Sequence, residues 1–182
     1  MTRHLYFLFL LPLFTFCNQN AGRETKVYEE VTSEYNLIPN TTYYLIRHAE
    51  KDRTNPNDQD PGLNNEGLER SQRWATYFEP INIDRIYVTG YLRTQQTVSV
   101  IASQKAITPI SYNAHNLPIE KLLTETKGKN VLVVGHSNTI PKIANTLLEE
   151  NRFKDMEDGD NSTLYIITLN GSDKKAETFT VE

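Results

Sequence analysis

The chain of 182 residues has a single cysteine, so no disulfide can form within it. It has no HxxxH, no CxxC and no carboxylate-rich ligand cluster, which removes the usual signatures of a metal centre. It lacks a basic balance: the formal net charge is −4, whereas nucleic acid or an anionic membrane surface asks for a positive face. Its 4 histidines are too dispersed to form a tract, and no internal repeat is visible. It also lacks an apolar run long enough to cross a bilayer as an ordinary helix.

The one long apolar run is LYFLFLLPLFTF, residues 5–16, which follows Arg3 and ends at Cys17. Its length and its proline fit the apolar region of a signal peptide, and the polar NQNAGRETK that follows argues against a buried core element. A cysteine closing such a run suggests a bacterial lipoprotein whose lipidated Cys17 begins the mature chain. Phe16 is bulkier than the residue usual before that cysteine, so ordinary secretory cleavage stays the alternative. Either route places the mature protein outside the cytoplasm, in the bacterial cell envelope; with lipidation it is anchored to a membrane and faces the periplasm. Residues 18–40 read as a tether and lead-in, within which KVYEEVTSEY could add a short strand, and residues 41–182 as one domain large enough for a proper core.

Within that domain two apolar runs, TTYYLI (Thr41 to Ile46) and NVLVVG (Asn130 to Gly135), have the β-branched and aromatic character of strands covered on both faces. Each delivers a histidine at its carboxyl end, His48 in RHAEK and His136 in VVGHS. That edge of an open α/β sheet is where ligands bind, because the loops there meet helix N-termini. A third run, DRIYVTG, is followed by Arg93 at a predicted helix start. A cation there opposes the helix dipole, and a bound anion would relieve the conflict.

With RHAEK at 47–51, DPGLNNEG at 60–67, TGYLRTQQT at 89–97 and GHSNTIP at 135–141 in this order, the chain resembles the histidine phosphatase superfamily, from Thr41 to about Leu148. The resemblance implies a three-layer α/β/α sandwich with a mostly parallel central sheet. It implies that His48 is the nucleophile and that Arg47, Arg93 and His136 hold the phosphoryl group. It also implies that no metal and no other cofactor is needed.

The chemistry asks for the same residue types. Phosphoryl transfer spreads charge over three oxygens, so catalysis is mainly positioning and electrostatics. Two guanidiniums supply forked donors that stay charged, and a neutral His48 attacks phosphorus to split the hydrolysis through a phosphohistidine. His136 would donate a hydrogen bond and, if protonated, add charge. The leaving group needs a proton. The region where many family members carry a glutamate reads PISYNAHNLPIE here, leaving Glu120, which reads as a helix start, and His115 as a substitute. Glu50 and Asp52 lie nearer the nucleophile, although Glu50 can equally serve to orient a neighbouring histidine or arginine.

The remaining pattern alternates strand and helix. Asn64 should cap a helix to about Phe78, with Leu68, Ser71, Ala75 and Phe78 inward and Gly67 a cost. A strand over IDRIYVT precedes a helix from Arg93 to about Ser103 with Thr97, Val98 and Ile101 inward; TPISY reads as a strand and LPIEKLLTET as a helix. Ser137 should cap a helix whose Ile140, Ile143, Ala144, Leu147 and Leu148 form an apolar stripe, with Pro141 tolerable in the first turn. STLYIITL and AETFTVE around Asn170 and Gly171 read as a closing hairpin. EENRFKDMEDGDNS lacks calcium-loop spacing and reads as a solvated surface loop.

These readings converge on an exported phosphomonoesterase acting on a small phosphorylated substrate or a phosphoprotein. Two alternatives stand beside it. One is a phosphomutase, for which the chain lacks enclosing insertions; the other is an envelope phospholigand-binding protein whose catalysis has lapsed. Only the nucleophile His48 discriminates the latter.

Overall fold

The computed structural model describes residues 39–182. The signal segment, Cys17, the tether and the suggested KVYEEVTSEY strand lie outside the described residues. Ten elements follow in the order β1 (Thr41–Arg47), α1 (Asn65–Phe78), β2 (Arg85–Thr89), α2 (Leu92–Lys105), β3 (Ile110–Tyr112), α3 (Ile119–Glu125), β4 (Asn130–Gly135), α4 (Thr139–Leu148), β5 (Thr163–Asn170) and β6 (Asp173–Thr180).

The six strands form one sheet in the order β3-β2-β4-β1-β5-β6. Successive side chains of a strand face opposite ways, so β1 and β4 feed two cores. Tyr43, Leu45, Val131 and Val133 pack with the α4 stripe of Ile140, Ile143, Ala144, Leu147 and Leu148 on one face. Ile46, Leu132 and Val134 pack with Trp74 and Phe78 of α1 and Val98 and Ile101 of α2 on the other. This is the three-layer arrangement read from the sequence.

The sheet is parallel from β3 through β1, but β1 pairs antiparallel with β5 and β5 with β6. The expectation of a mostly parallel sheet therefore holds for one part of it. The physical cause is the segment after α4. It crosses the carboxyl edge of the sheet, so β5 starts opposite the end of β1, with Leu164 beside Ile46, and must run backwards. The hairpin then turns on Gly171 and Ser172, because Asn170 already pairs with Asp173. Gly171 takes φ +60, which glycine adopts without the steric cost a Cβ would add.

Two helix readings need correction. Leu68, expected inward on α1, is 49% exposed, and Trp74 and Arg70 hold the buried face with Ser71, Ala75 and Phe78. Ser137 does not cap α4: Asn138 precedes its first residue, without a side-chain cap bond, and the Thr139 hydroxyl instead accepts from the His136 N–H at 2.9 Å. Asn64 caps α1 as read, accepting from the Gly67 N–H at 2.8 Å.

Candidate active site at the carboxyl edge of the sheet

Parallel pairing of β1 with β4 sets Arg47 beside Gly135, so the two histidines that follow leave the sheet side by side. The ladder continues one step beyond the strands, with the His48 N–H donating to the Gly135 carbonyl at 3.0 Å. The ring centroids of His48 and His136 are 5.4 Å apart. Gly135 is needed at this point, since a Cβ there would sit 2.7 Å from the Thr139 hydroxyl and 2.8 Å from that of Tyr112.

The orientation of His48 follows from its partners. Its Nδ1 lies 2.7 Å from the Ala49 carbonyl, which only accepts, so Nδ1 carries the proton and Nε2 keeps its lone pair. The peptide around it is fixed from both sides. Asn161 donates to the His48 carbonyl at 2.7 Å, and the Ala49 N–H donates to the Thr97 hydroxyl at 2.9 Å. That hydroxyl in turn donates to the Arg93 carbonyl, which ties the first turns of α2 to the histidine. Burial, followed by the positive charges of Arg47 and Arg93, lowers the His48 pKa to about 3 despite the opposing bond to Ala49. The ring is therefore neutral at ordinary pH.

His136 is also held neutral. Burial, then Arg93 and Arg47, bring its pKa to about 4. His136 therefore adds no charge to the cluster at ordinary pH. Its Nε2 lies 3.1 Å from the Thr89 hydroxyl, which is 2.9 Å from that of Thr94. The ring meets Tyr91 edge to face at 5.1 Å.

The two arginines enter from different elements. Arg93, in the first turn of α2, places its Cζ 4.2 Å over the Tyr91 ring and its Nη1 3.6 Å from Asp60. Arg47, at the end of β1, is 3% exposed and donates through Nη1 to the carbonyls of Glu157, Asp158 and Asp160 at 2.9, 2.8 and 3.1 Å. Its Nη2 reaches the Asp158 carboxylate at 3.2 Å, which also pairs with Arg53 at 2.9 Å. In both arginines Nε is buried without a partner. Burying a donor N–H unpaired is costly, and an anion bound between the guanidiniums could relieve both.

These contacts overturn the reading of residues 149–162 as a merely solvated loop. Its carbonyls hold Arg47, Asn161 holds His48, and Met156 is buried in the core. Polarity alone gave no signal of this, since the three bonds to Arg47 Nη1 come from main-chain carbonyls.

Arg47, His48, Arg93 and His136 line one cavity of about 310 Å³, together with Lys51 and Tyr91. No three His, Cys, Asp or Glu side chains among the described residues converge as metal ligands. A neutral imidazole that shares a cavity with two guanidiniums suits attack on a bound tetrahedral oxyanion. The sequence model of the histidine phosphatase superfamily (branch 1) matches residues 43–115, which include Arg47, His48 and Arg93.

Over residues 43–115 the chain is similar to the histidine phosphatase superfamily.

Solved structures share the fold at low identity. The protein histidine phosphatase SixA complexed with tungstate is 18% identical, with a TM-score of 0.57, covering 76% of this chain and 96% of its own. A mutant phosphoserine phosphatase from Entamoeba histolytica in complex with phosphoserine is 16% identical, with a TM-score of 0.59, covering 77% and 96%. A mycobacterial glucosyl-3-phosphoglycerate phosphatase is 12% identical, with a TM-score of 0.61, covering 79% and 100%. At such identities the likeness concerns the fold. No curated protein matches by sequence.

The candidate acids of the site are distributed unevenly. Glu50 turns away from the cavity: its Oε1 pairs with Arg70 Nε at 2.6 Å, a partner the sequence reading did not single out. Asp52 is fully exposed and accepts from the Thr54 N–H. Glu120 lies in α3, outside the cavity wall, whereas His115 lines it. Asp158 is the carboxylate in that wall, but its bonds to Arg53 and then Arg47 hold its carboxyl below the usual range.

Proposed function

We propose that the protein is a phosphomonoester hydrolase that forms a phosphohistidine at His48. The observation that carries this reading is the Nδ1 bond to the Ala49 carbonyl, which leaves a neutral Nε2 lone pair on a ring that shares one cavity with two arginines whose Nε groups are buried and unpartnered. In the first step Nε2 bonds to phosphorus as the ester oxygen departs. Arg47 and Arg93 take the equatorial oxygens, whose charge grows along the reaction, and His136 completes the cradle. In the second step water displaces His48 and phosphate leaves. The positive charge is supplied by side chains, so the reaction is metal-independent. A small phosphorylated molecule or a phosphoprotein is the substrate class, in keeping with the phosphatases that share the fold.

A quench experiment tests this. Wild-type protein mixed with an aryl phosphate carrying labelled phosphorus should yield acid-labile, base-stable label on the chain, in EDTA as in its absence. His48→Ala should yield neither label nor turnover. Turnover without label, or turnover that collapses in EDTA and returns with zinc or magnesium, would refute the reading.

The same reading places the enzyme outside the cytoplasm. The apolar run ending at Cys17 supports export, and lipidation of Cys17 would tether the domain to the membrane through residues 18–40. Among the described residues no helix is long and apolar enough to cross a membrane.

A further inference from the structure

The cavity around His48 opens into two hollows. One, of about 720 Å³, shares His48, Lys51 and Asp158 with it. The other, of about 180 Å³, lies between the 113–119 segment and α4, and shares Ala114, His115, Asn138 and Thr139 with it. Neither His48 nor either cavity arginine walls the smaller hollow.

Phosphoryl transfer runs in line, with the attacking and departing atoms on opposite sides of phosphorus. Attack from His48 therefore sends the leaving oxygen away from the larger hollow, which His48 itself walls, and toward the smaller one. Among the side chains common to the cavity and the smaller hollow, Asn138 and Thr139 carry no acidic proton and Ala114 is apolar. His115 alone can deliver one. The other candidates are placed wrongly: Asp158 and Lys51 lie on the attacking side, and Glu50 is paired with Arg70. His115 is exposed and sits in a tight turn, its N–H donating to the Asn113 side chain at 2.9 Å. It also belongs to the set of charges that depress the His136 pKa, so it acts within electrostatic reach of the cradle.

We propose that His115 protonates the departing oxygen and that the leaving group lodges in the smaller hollow, against Leu117, Ile119 and Ile143. The proposal rests on the phosphohistidine reading. As the His48 Nε2 to phosphorus bond forms, the electron pair of the ester bond passes to the leaving oxygen. That oxygen takes the proton of the His115 imidazolium and departs as an alcohol or phenol. Water then attacks phosphorus and gives its proton to the neutral His115, while the nitrogen–phosphorus pair returns to His48. The hollow favours a compact leaving group with an apolar face.

The test is kcat/KM across aryl phosphates from p-nitrophenyl to phenyl, extended to benzyl phosphate. His115→Gln and His115→Ala should each cost on the order of a hundredfold with the poorest leaving groups and only several-fold with p-nitrophenyl phosphate, which needs little protonation. The plot against leaving-group pKa should steepen. Lys51→Met should instead shift the whole series in parallel. A loss for both His115 variants that is uniform across the series, or no loss at all, would overturn the proposal. A failure of the covalent mechanism shows separately, as wild-type turnover without label on His48.

Discussion

Arg47 and Arg93 share a charge but not a setting, and single substitutions should separate them. In the proposed reaction each makes charge-assisted contacts that strengthen in the transition state, so either one changed to alanine should lower kcat/KM for an aryl phosphate on the order of a thousandfold. Lysine should rescue Arg93 poorly, because it has no Nε–H and no fork. Arg47→Lys should lose stability as well, since three main-chain carbonyls lose their shared donor. Kinetics and thermal melts on the two lysine variants check this; full rescue of Arg93 by lysine would show that only charge matters. His48 carries a further prediction. Its folded pKa of about 3 lies below the unfolded histidine value, near 6.5. The stability contributed by the neutral ring is complete above pH 6.5 and is lost as pH falls toward 3, because the unfolded chain takes up a proton that the folded one refuses. At pH 5 the loss from this one group should be about 2 kcal/mol. Urea unfolding at pH 7.5 and pH 5 should show that difference shrinking in His48→Gln, and an unchanged difference would mean that the folded ring is already protonated.

Helix α1 shows how an element can be placed by a residue that weakens it. Glycine at the third position of a helix usually costs stability, and alanine would ordinarily gain about 1 kcal/mol. Here a Cβ on Gly67 would run into the Glu50 carbonyl oxygen, within the segment that follows His48. Gly67→Ala should therefore destabilise the protein by about 1 to 3 kcal/mol. It should also lower activity by moving residues 48–51. A thermal melt and an aryl phosphate assay measure both; a higher melting temperature with intact activity would contradict the close approach. Nearby, Glu50 pairs with Arg70 across the same junction, with side chains 14% and 11% exposed, so it serves to hold α1 on the β1 exit. The period-3.6 pattern of α1 identified the helix and its Asn64 cap. It misplaced Leu68, because Arg70 takes a buried position that hydropathy assigns to solvent.

For the whole molecule, the proposed anchor rests on Cys17. Acyl chains would hold the domain through buried methylenes worth about 0.8 kcal/mol each. Wild-type protein should fractionate with membranes and incorporate a palmitate analogue, and Cys17→Ser should not. Recovery of the wild type in the soluble periplasmic fraction, with a mature N-terminus other than Cys17, would contradict lipidation and leave the phosphatase proposal standing.

The sequence by itself determined which of the described segments become strands and helices and that two histidines leave the carboxyl ends of two strands. Those features are local: β-branched runs, caps and apolar periodicity act over a few residues, and RHAEK, TGYLRTQQT and GHSNTIP each sit at one such junction. Only the tertiary structure decided what holds the cluster together. Residues 157–161 reach Arg47 and His48 through main-chain carbonyls, the Asp158 carboxylate and one asparagine, from about 110 positions away. Carbonyls are identical at every residue, so no side-chain pattern could announce them. The reversal of β5 and the low pKa values of both histidines arise in the same way. They depend on where the chain returns and on how much water it excludes, and neither is written in the neighbourhood of any single residue.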